Sequence, residues 1–447
     1  MTRPKLMLRW LLQMDRPVPF RNDAEIAAEV EENYRWNFIV NLLDGASFWF
    51  GSSFISSATI VPLFVSKLSD HPLAIGLTAV IAQSAWYLPQ LFTANIVERL
   101  PRKKPVMINL GFFSERLPMI FIVLSALIAA RSPQIALLLF LLAYAWHGFG
   151  AGIIATAWQD MIARCFPVAR RGRFFGTTMF VGAGMGALAA GFSAWLLANF
   201  PFPTNFVYAF AIATAGIMIS WVFLSMTREP AQPVTAPRRS RREYWAELPQ
   251  IVRTDSNFRH FLTARLVLAL GTMGSGFVTV AAIERWQVAD STVGIYTILY
   301  LAGQTAGNLL FGFLADRLGH KLSLEMSGLI SLLAFGMAWL APSPGWYFVV
   351  FLLMGFNLGA IIVSGILIVM EFCAPEKRPT YAGLTNTGVG IISSLAPLLG
   401  AWLAGRGYGR LFALASVVNL MGLLLMRFWV QEPRGSAERP LAVNNHP

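Results

Sequence analysis

Gly312-Phe313-Leu314-Ala315-Asp316-Arg317-Leu318-Gly319-His320-Lys321 separates two long apolar runs, and packs one acid, two bases and two glycines into a short turn. Glycine tolerates the backbone angles that let two helices meet in a tight loop. An acid beside the start of the next helix interacts with that helix's positive end. Cations in a short loop hold it on the cytoplasmic face of a membrane. A degenerate copy, Ala94-Asn95-Ile96-Val97-Glu98-Arg99-Leu100-Pro101-Arg102-Lys103, follows the second apolar run of the chain. There Ala94 replaces the first glycine, Glu98 the acid and Pro101 the second glycine.

The composition agrees with a membrane protein. Of 447 residues 56% are hydrophobic and only 13% charged, and the mean hydropathy is +0.57. A water-soluble chain of this size needs more polar surface. The net charge of +12 falls in alternate loops, which reads as topology and excludes a nucleic-acid partner. Cys165 and Cys373 end corresponding runs, make no disulfide framework, and have no ligand cluster beside them, so neither a metal nor a cofactor is expected. Residues 1–35 mix acids and bases and read as a cytoplasmic helix lying against the first span, not as a signal peptide.

About twelve spans follow, starting near residues 36, 72, 105, 133, 174 and 205, then 257, 291, 322, 345, 380 and 410. The expected organisation is a cytoplasmic segment (1–35), a six-helix bundle (36–226), a charged cytoplasmic linker (227–256), a second six-helix bundle (257–430) and a cytoplasmic tail (431–447). Bases crowd the loops after the second and fourth spans of each half, including Arg102, Lys103, Arg171, Lys321 and Arg378. The opposite loops are nearly bare, so both termini are expected in the cytoplasm and the chain in the plasma membrane. The halves repeat. An offset of 207 lays Gly148-Phe149 on Gly355-Phe356, Gly152 on Gly359, Arg170-Arg171 on Lys377-Arg378 and Gly176 on Gly383.

The pattern G-x-x-x-D-R-x-G-x-K resembles the loop signature of the major facilitator superfamily of secondary transporters. The resemblance implies an all-α fold of about twelve helices in two pseudo-symmetric bundles, with a substrate site at the midplane. It also implies a cytoplasmic latch made by Glu98, Arg99, Arg102, Lys103, Gly312, Asp316, Arg317, Gly319 and Lys321. Arg171, Arg378 and Glu371 belong to the same face. His320 stands where the family usually has arginine. The drug/proton antiporters of the superfamily carry a fifth-span proline and a fourth-span arginine. Ala187 and Tyr144 stand at those places, which argues against that subgroup.

Ionisable groups inside a span are costly and mark function. Asp44 lies about 12 Å into the first span, Glu115 and Arg116 about 15 Å into the third, and Arg265 about 12 Å into the seventh. His147 falls near the midplane. Asn37, Asn41, Asp44 and Ser47 form one polar helix face, and Gln304 and Asn357 offer hydrogen-bonding walls. Asp44 can carry a proton, or it can simply pair with Arg116. Glu115 and Arg116, being adjacent, are expected to point about 100° apart and to take different partners. Trp49, Trp86, Tyr87, Trp146 and Trp158 inside spans suit an amphipathic organic substrate. The leading expectation is a monomeric proton-coupled exporter of a small organic molecule. Uptake of a polar metabolite and a non-transporting receptor are the alternatives. No nucleophile, base and metal cluster supports an enzyme.

Overall fold

The structure, a computed structural model, describes residues 9–14, 16, 18, 21–97, 100–231, 249–373 and 378–433. They contain helices and turns and no strand. The helices are α1 (Asp23–Ser53), α2 (Ile60–Ser66), α3 (Pro72–Val97), α4 (Val106–Ile128), α5 (Pro133–Cys165), α6 (Val168–Asn199) and α7 (Thr204–Ser225). They continue as α8 (Ser256–Trp286), α9 (Thr292–Leu318), α10 (His320–Leu340), α11 (Trp346–Glu371), α12 (Arg378–Ala404) and α13 (Tyr408–Trp429). Ten of the described helices, α4 to α13, are long and apolar enough to cross a membrane. The other two expected spans fall on α1 and α3, of 31 and 26 residues.

The helix starts follow local chemistry. Asn22 and Glu25 form a reciprocal capping box, with the Asn22 side chain accepting from the Glu25 N–H at 2.8 Å. This cap starts α1 at Asp23, so residues 23–35 continue the first span as one helix instead of lying against it. Asp255 caps α8 by accepting from the Phe258 N–H at 2.9 Å and also takes the Tyr381 hydroxyl at 3.1 Å. Two helices are irregular where polar groups sit. The first half of α4 is π-wound over Val106–Leu110 and Phe112–Arg116, and α8 passes through a 3₁₀ stretch at Thr272–Phe277.

The chain divides into two compact units. Unit 1 is Met1–Pro237 with Ile283–Ile298, and unit 2 is Arg238–Ala282 with Leu299–Pro447. In unit 1 the Thr59 and Thr297 hydroxyls meet at 2.7 Å, and Lys67 pairs with Asp290 at 2.7 Å. Each unit contains the same close helix crossing. In unit 1 a Cβ on Gly152 would lie 2.1 Å from the Ala85 carbonyl of α3. In unit 2 a Cβ on Gly355 would lie 2.0 Å from the Tyr300 carbonyl of α9, and one on Gly359 would lie 2.6 Å from the Gln304 carbonyl. Glycine lets the backbones approach in lipid, where close packing drives helix association.

This crossing is checked by replacement. Gly152→Leu forces a backbone clash and is expected to destabilise the protein by about 1–3 kcal/mol, read as a lowered Tm in detergent. Gly184→Ala meets nothing within 4 Å and is expected to leave the Tm unchanged or raised.

Candidate functional site

In unit 1 the π-wound turn of α4 brings charge into the interior. Glu115 and Arg116 are each only 3% exposed and form an ion pair with one another. The expectation that neighbours in sequence take different partners therefore fails. The wider π turn brings successive side chains closer together, and such turns recur at functional sites. The Leu117 N–H reaches back five residues to the Phe112 carbonyl at 2.9 Å. That winding turns the Glu115 carbonyl toward α5, where His147 Nδ1 donates to it at 2.7 Å. The bond fixes the proton on Nδ1 and ties α5 to the π-wound turn of α4. Gly150 completes the contact, since a Cβ there would lie 1.9 Å from the Ser114 carbonyl.

Asp44 on α1 is buried and accepts from the Ser220 hydroxyl of α7 at 2.6 Å. The Arg116 charge acts on Asp44, and on His147 as well. The structure thus brings Asp44, Glu115, Arg116 and His147 into one cluster. The Arg116 Nε has no hydrogen-bond acceptor among the described residues. Asn41 is not part of the cluster. Its side-chain oxygen takes the Thr227 hydroxyl at 3.3 Å, at the end of α7.

In unit 2 Arg265 is buried on α8, beside α11 at Gly365, where a Cβ would sit 2.9 Å from its Nη2. Gln304 is buried on α9. Asn357 donates to the Ser327 carbonyl and hydroxyl at 2.8 and 2.9 Å, so its amide ties α11 to α10. Glu371 lies 4.0 Å from His320 Nε2, and His320 Nδ1 meets the Ser364 hydroxyl at 3.2 Å.

The expected latch residues are only partly described. Glu98 and Arg99 lie outside the described residues, as do the side chains of Asp316, Arg171 and Arg378. Arg102 is half-buried and Gly312 lies within α9. Arg317 stacks on Phe313 at 4.2 Å, and Lys321 pairs with Glu325 at 3.2 Å. Lys103, expected at a wet loop, is 0% exposed and pairs with Asp160 at 3.1 Å.

Around these residues lies a clasp that appears once in each unit. Asn37 of α1 donates to the Arg228 carbonyl at 2.9 Å and accepts from the Arg228 N–H at 2.9 Å. Asn257 of α8 holds Gln431 in the same two bonds, at 3.1 and 2.8 Å. The next residue in each case is a glutamate. Glu229 accepts the N–H groups of Lys103 and Lys104 at 2.8 Å, before α4. Glu432 approaches Gly319, before α10, closely enough that a Cβ at Gly319 would meet its carboxylate at 2.5 Å. Gly319 has φ +92°, which also favours glycine. Sequence reasoning missed the clasp. Its signal is the Glu-Pro pair at 229–230 and 432–433.

The sequence model described as Major Facilitator Superfamily matches residues 266–446. Solved structures extend the likeness to most of the chain. A transporter of the POT family in complex with a thioalcohol-conjugated peptide superimposes with a TM-score of 0.64 at 11% identity, covering 87% of this chain and 95% of that one. A bacterial homologue of the human lysosomal transporter Spinster gives 0.63 at 15% identity over 88% and 97%. The chain has the major facilitator superfamily fold, and its C-terminal part matches that family's sequence model. It is an all-α, multi-pass membrane protein of that fold. Among curated sequences, the 4-hydroxybenzoate transporter PcaK of Acinetobacter baylyi is 29% identical over 168 residues, 36% of each chain. A gallate transporter of Pseudomonas putida is 29% identical over 157 residues, 35% of this chain and 34% of that one. The matches thus span about a third of these relatives' length.

The clasp has a pH signature. Burial raises the Glu229 carboxyl above its ordinary value, and the Lys103 and Lys104 N–H groups oppose that rise. A carboxyl with a raised folded value stabilises the fold below its unfolded value of 4.5 and loses that contribution as pH rises through the folded value. Glu229→Gln is therefore expected to flatten the fall in Tm that accompanies a rise from about pH 4 to 7. An unchanged pH–Tm profile contradicts this assignment.

Proposed function

We propose that this protein is an alternating-access secondary transporter of the major facilitator superfamily that moves a small aromatic carboxylate together with protons across the plasma membrane, as a monomer with both termini in the cytoplasm. Three observations support the reading. Arg116 is buried, and its Nε has no acceptor among the described residues. Unit 2 carries a second buried guanidinium, Arg265. Three of the relatives are named as transporters of 4-hydroxybenzoate, gallate and gentisate, which are aromatic acids.

The coupling follows from charge. With both acids ionised, Asp44, Glu115 and Arg116 carry a net charge of about −1, which opposes an incoming carboxylate. A proton on Asp44 makes the cluster neutral and leaves Arg116 with a single competing anion. The Ser220 hydroxyl donates to the ionised acid and can accept from the protonated one, so this site holds either form. Proton and anion therefore bind cooperatively and move in the same direction. Export in exchange for protons, the leading expectation from internal aromatic residues, requires that they compete instead.

Flux of labelled 4-hydroxybenzoate in proteoliposomes tests the reading. An acidic exterior is expected to drive accumulation. Asp44→Asn is expected to keep equilibrative exchange but lose the response to the gradient. Arg116→Lys is expected to lower apparent affinity by about tenfold or more, because a charge-assisted pair is worth about 1.5–3 kcal/mol. Flux of a confirmed substrate that ignores the gradient rejects proton coupling. Movement against the proton flow rejects symport in favour of exchange.

A further inference from the structure

Residues 9–14 fold back onto the outside of unit 1. They make a single helical turn in which the Met14 N–H reaches the Arg9 carbonyl at 3.0 Å. Two contacts fix the turn. Asn109 of α4 donates to the Leu11 carbonyl at 2.7 Å, and Leu12 is 5% exposed in a cluster with Val106, Met107 and Leu224. Between this turn and the surfaces of α4 and α7 lies a cleft of about 660 Å³. Phe112, Phe113 and Trp221 make an apolar floor, and the Trp221 N–H is spent on the Ile108 carbonyl at 3.0 Å. Arg9, Gln13 and Arg16 make the polar rim. The lining contains two cations and no acid among the described residues.

The position of the cleft matters as much as its chemistry. It lies within two turns of Lys103 and Lys104, at the basic end of the spans, which the positive-inside rule puts at the cytoplasmic surface. Trp10 and Phe113 on its edges are 76% and 50% exposed. Exposed aromatic rings at that level belong at the boundary between headgroups and acyl chains. An apolar floor edged by exposed aromatic rings, beside two guanidinium groups, matches one class of ligand at both ends. Guanidinium groups bind phosphate in bidentate fashion, and the floor takes the first methylenes of an acyl chain.

We propose that this cleft is a binding site for an anionic phospholipid of the cytoplasmic leaflet, seated under the 9–14 turn with its phosphate at Arg9 and Arg16. The lipid then completes the packing of the N-terminal turn against α4 and α7. The site rests on the orientation stated above but not on the transported substrate.

Native mass spectrometry of the full chain, titrated with phosphatidylglycerol and with phosphatidylcholine, tests the site. Phosphatidylglycerol is expected to bind about thirtyfold more tightly, at about 1 kcal/mol for each of the two arginines near the surface. Arg9→Gln with Arg16→Gln is expected to reduce that preference to the phosphatidylcholine level. Asn109→Ala, which releases the turn but keeps both arginines, is expected to lose it as well. Glycerol phosphate without acyl chains is expected not to bind. Equal binding of the two lipids by the native chain, an undiminished preference in either variant, or equal binding of glycerol phosphate overturns the proposal. None of these outcomes bears on flux, so the transport reading stands or falls separately.

Discussion

A guanidinium inside a membrane-spanning bundle has to be paired, and in this chain that requirement shapes the surrounding helices. A cation at the centre of a span costs about 2.5–3.5 kcal/mol on insertion scales. Arg116 meets the requirement with Glu115, its neighbour in the chain, and with the charge of Asp44 on α1. The pairing requires a π-wound turn, the π turn exposes the Glu115 carbonyl to His147, and Gly150 lets α5 come close enough for that bond. Each of these features makes sense only with the others present. The geometry joins a titratable acid to a fixed cation, the minimum apparatus for letting a proton change the affinity for an anion.

Duplication supplies the frame around this cluster. Two units cross their helices at glycines 207 residues apart, and each unit fastens the end of its sixth span with an asparagine and a glutamate. The clasp uses backbone groups on one side and side chains on the other. It thus fixes the end of one helix to the start of another without relying on an exposed ion pair, which contributes little. The cluster itself departs from the repeat. His147 corresponds to Met354 at the same offset, and the buried pair on α4 has no charged copy on α10 at the same depth.

Much of this was legible in the sequence for physical reasons. Long apolar runs have few interpretations, and the loop from Gly312 to Lys321 together with its weaker copy indicated the superfamily fold. Burial of Asp44, Glu115, Arg116 and Arg265 followed from their depth within spans. The mutual pairing of Glu115 and Arg116 did not, because an ideal helix was assumed and the π winding has no simple sequence signature. Asn37 and Asn41 were recognised as a buried face, but their partners at 227–228 lie almost two hundred residues away and have no periodicity to point to them. Continuation of the first helix back to Asp23 was readable from Asn22 and Glu25, a capping box that the acid-rich composition of that segment obscured.

The central claim is that protonation of the Asp44 cluster and occupation of Arg116 by a carboxylate favour one another. It is tested most directly by proton exchange on binding. Weakly buffered, purified protein is mixed with 4-hydroxybenzoate near neutral pH, where the ligand is already ionised, while a pH-sensitive dye is monitored. The account predicts uptake of up to one proton per ligand bound, abolished in Asp44→Asn. Proton release on binding, or binding with no proton change in the native chain, contradicts it.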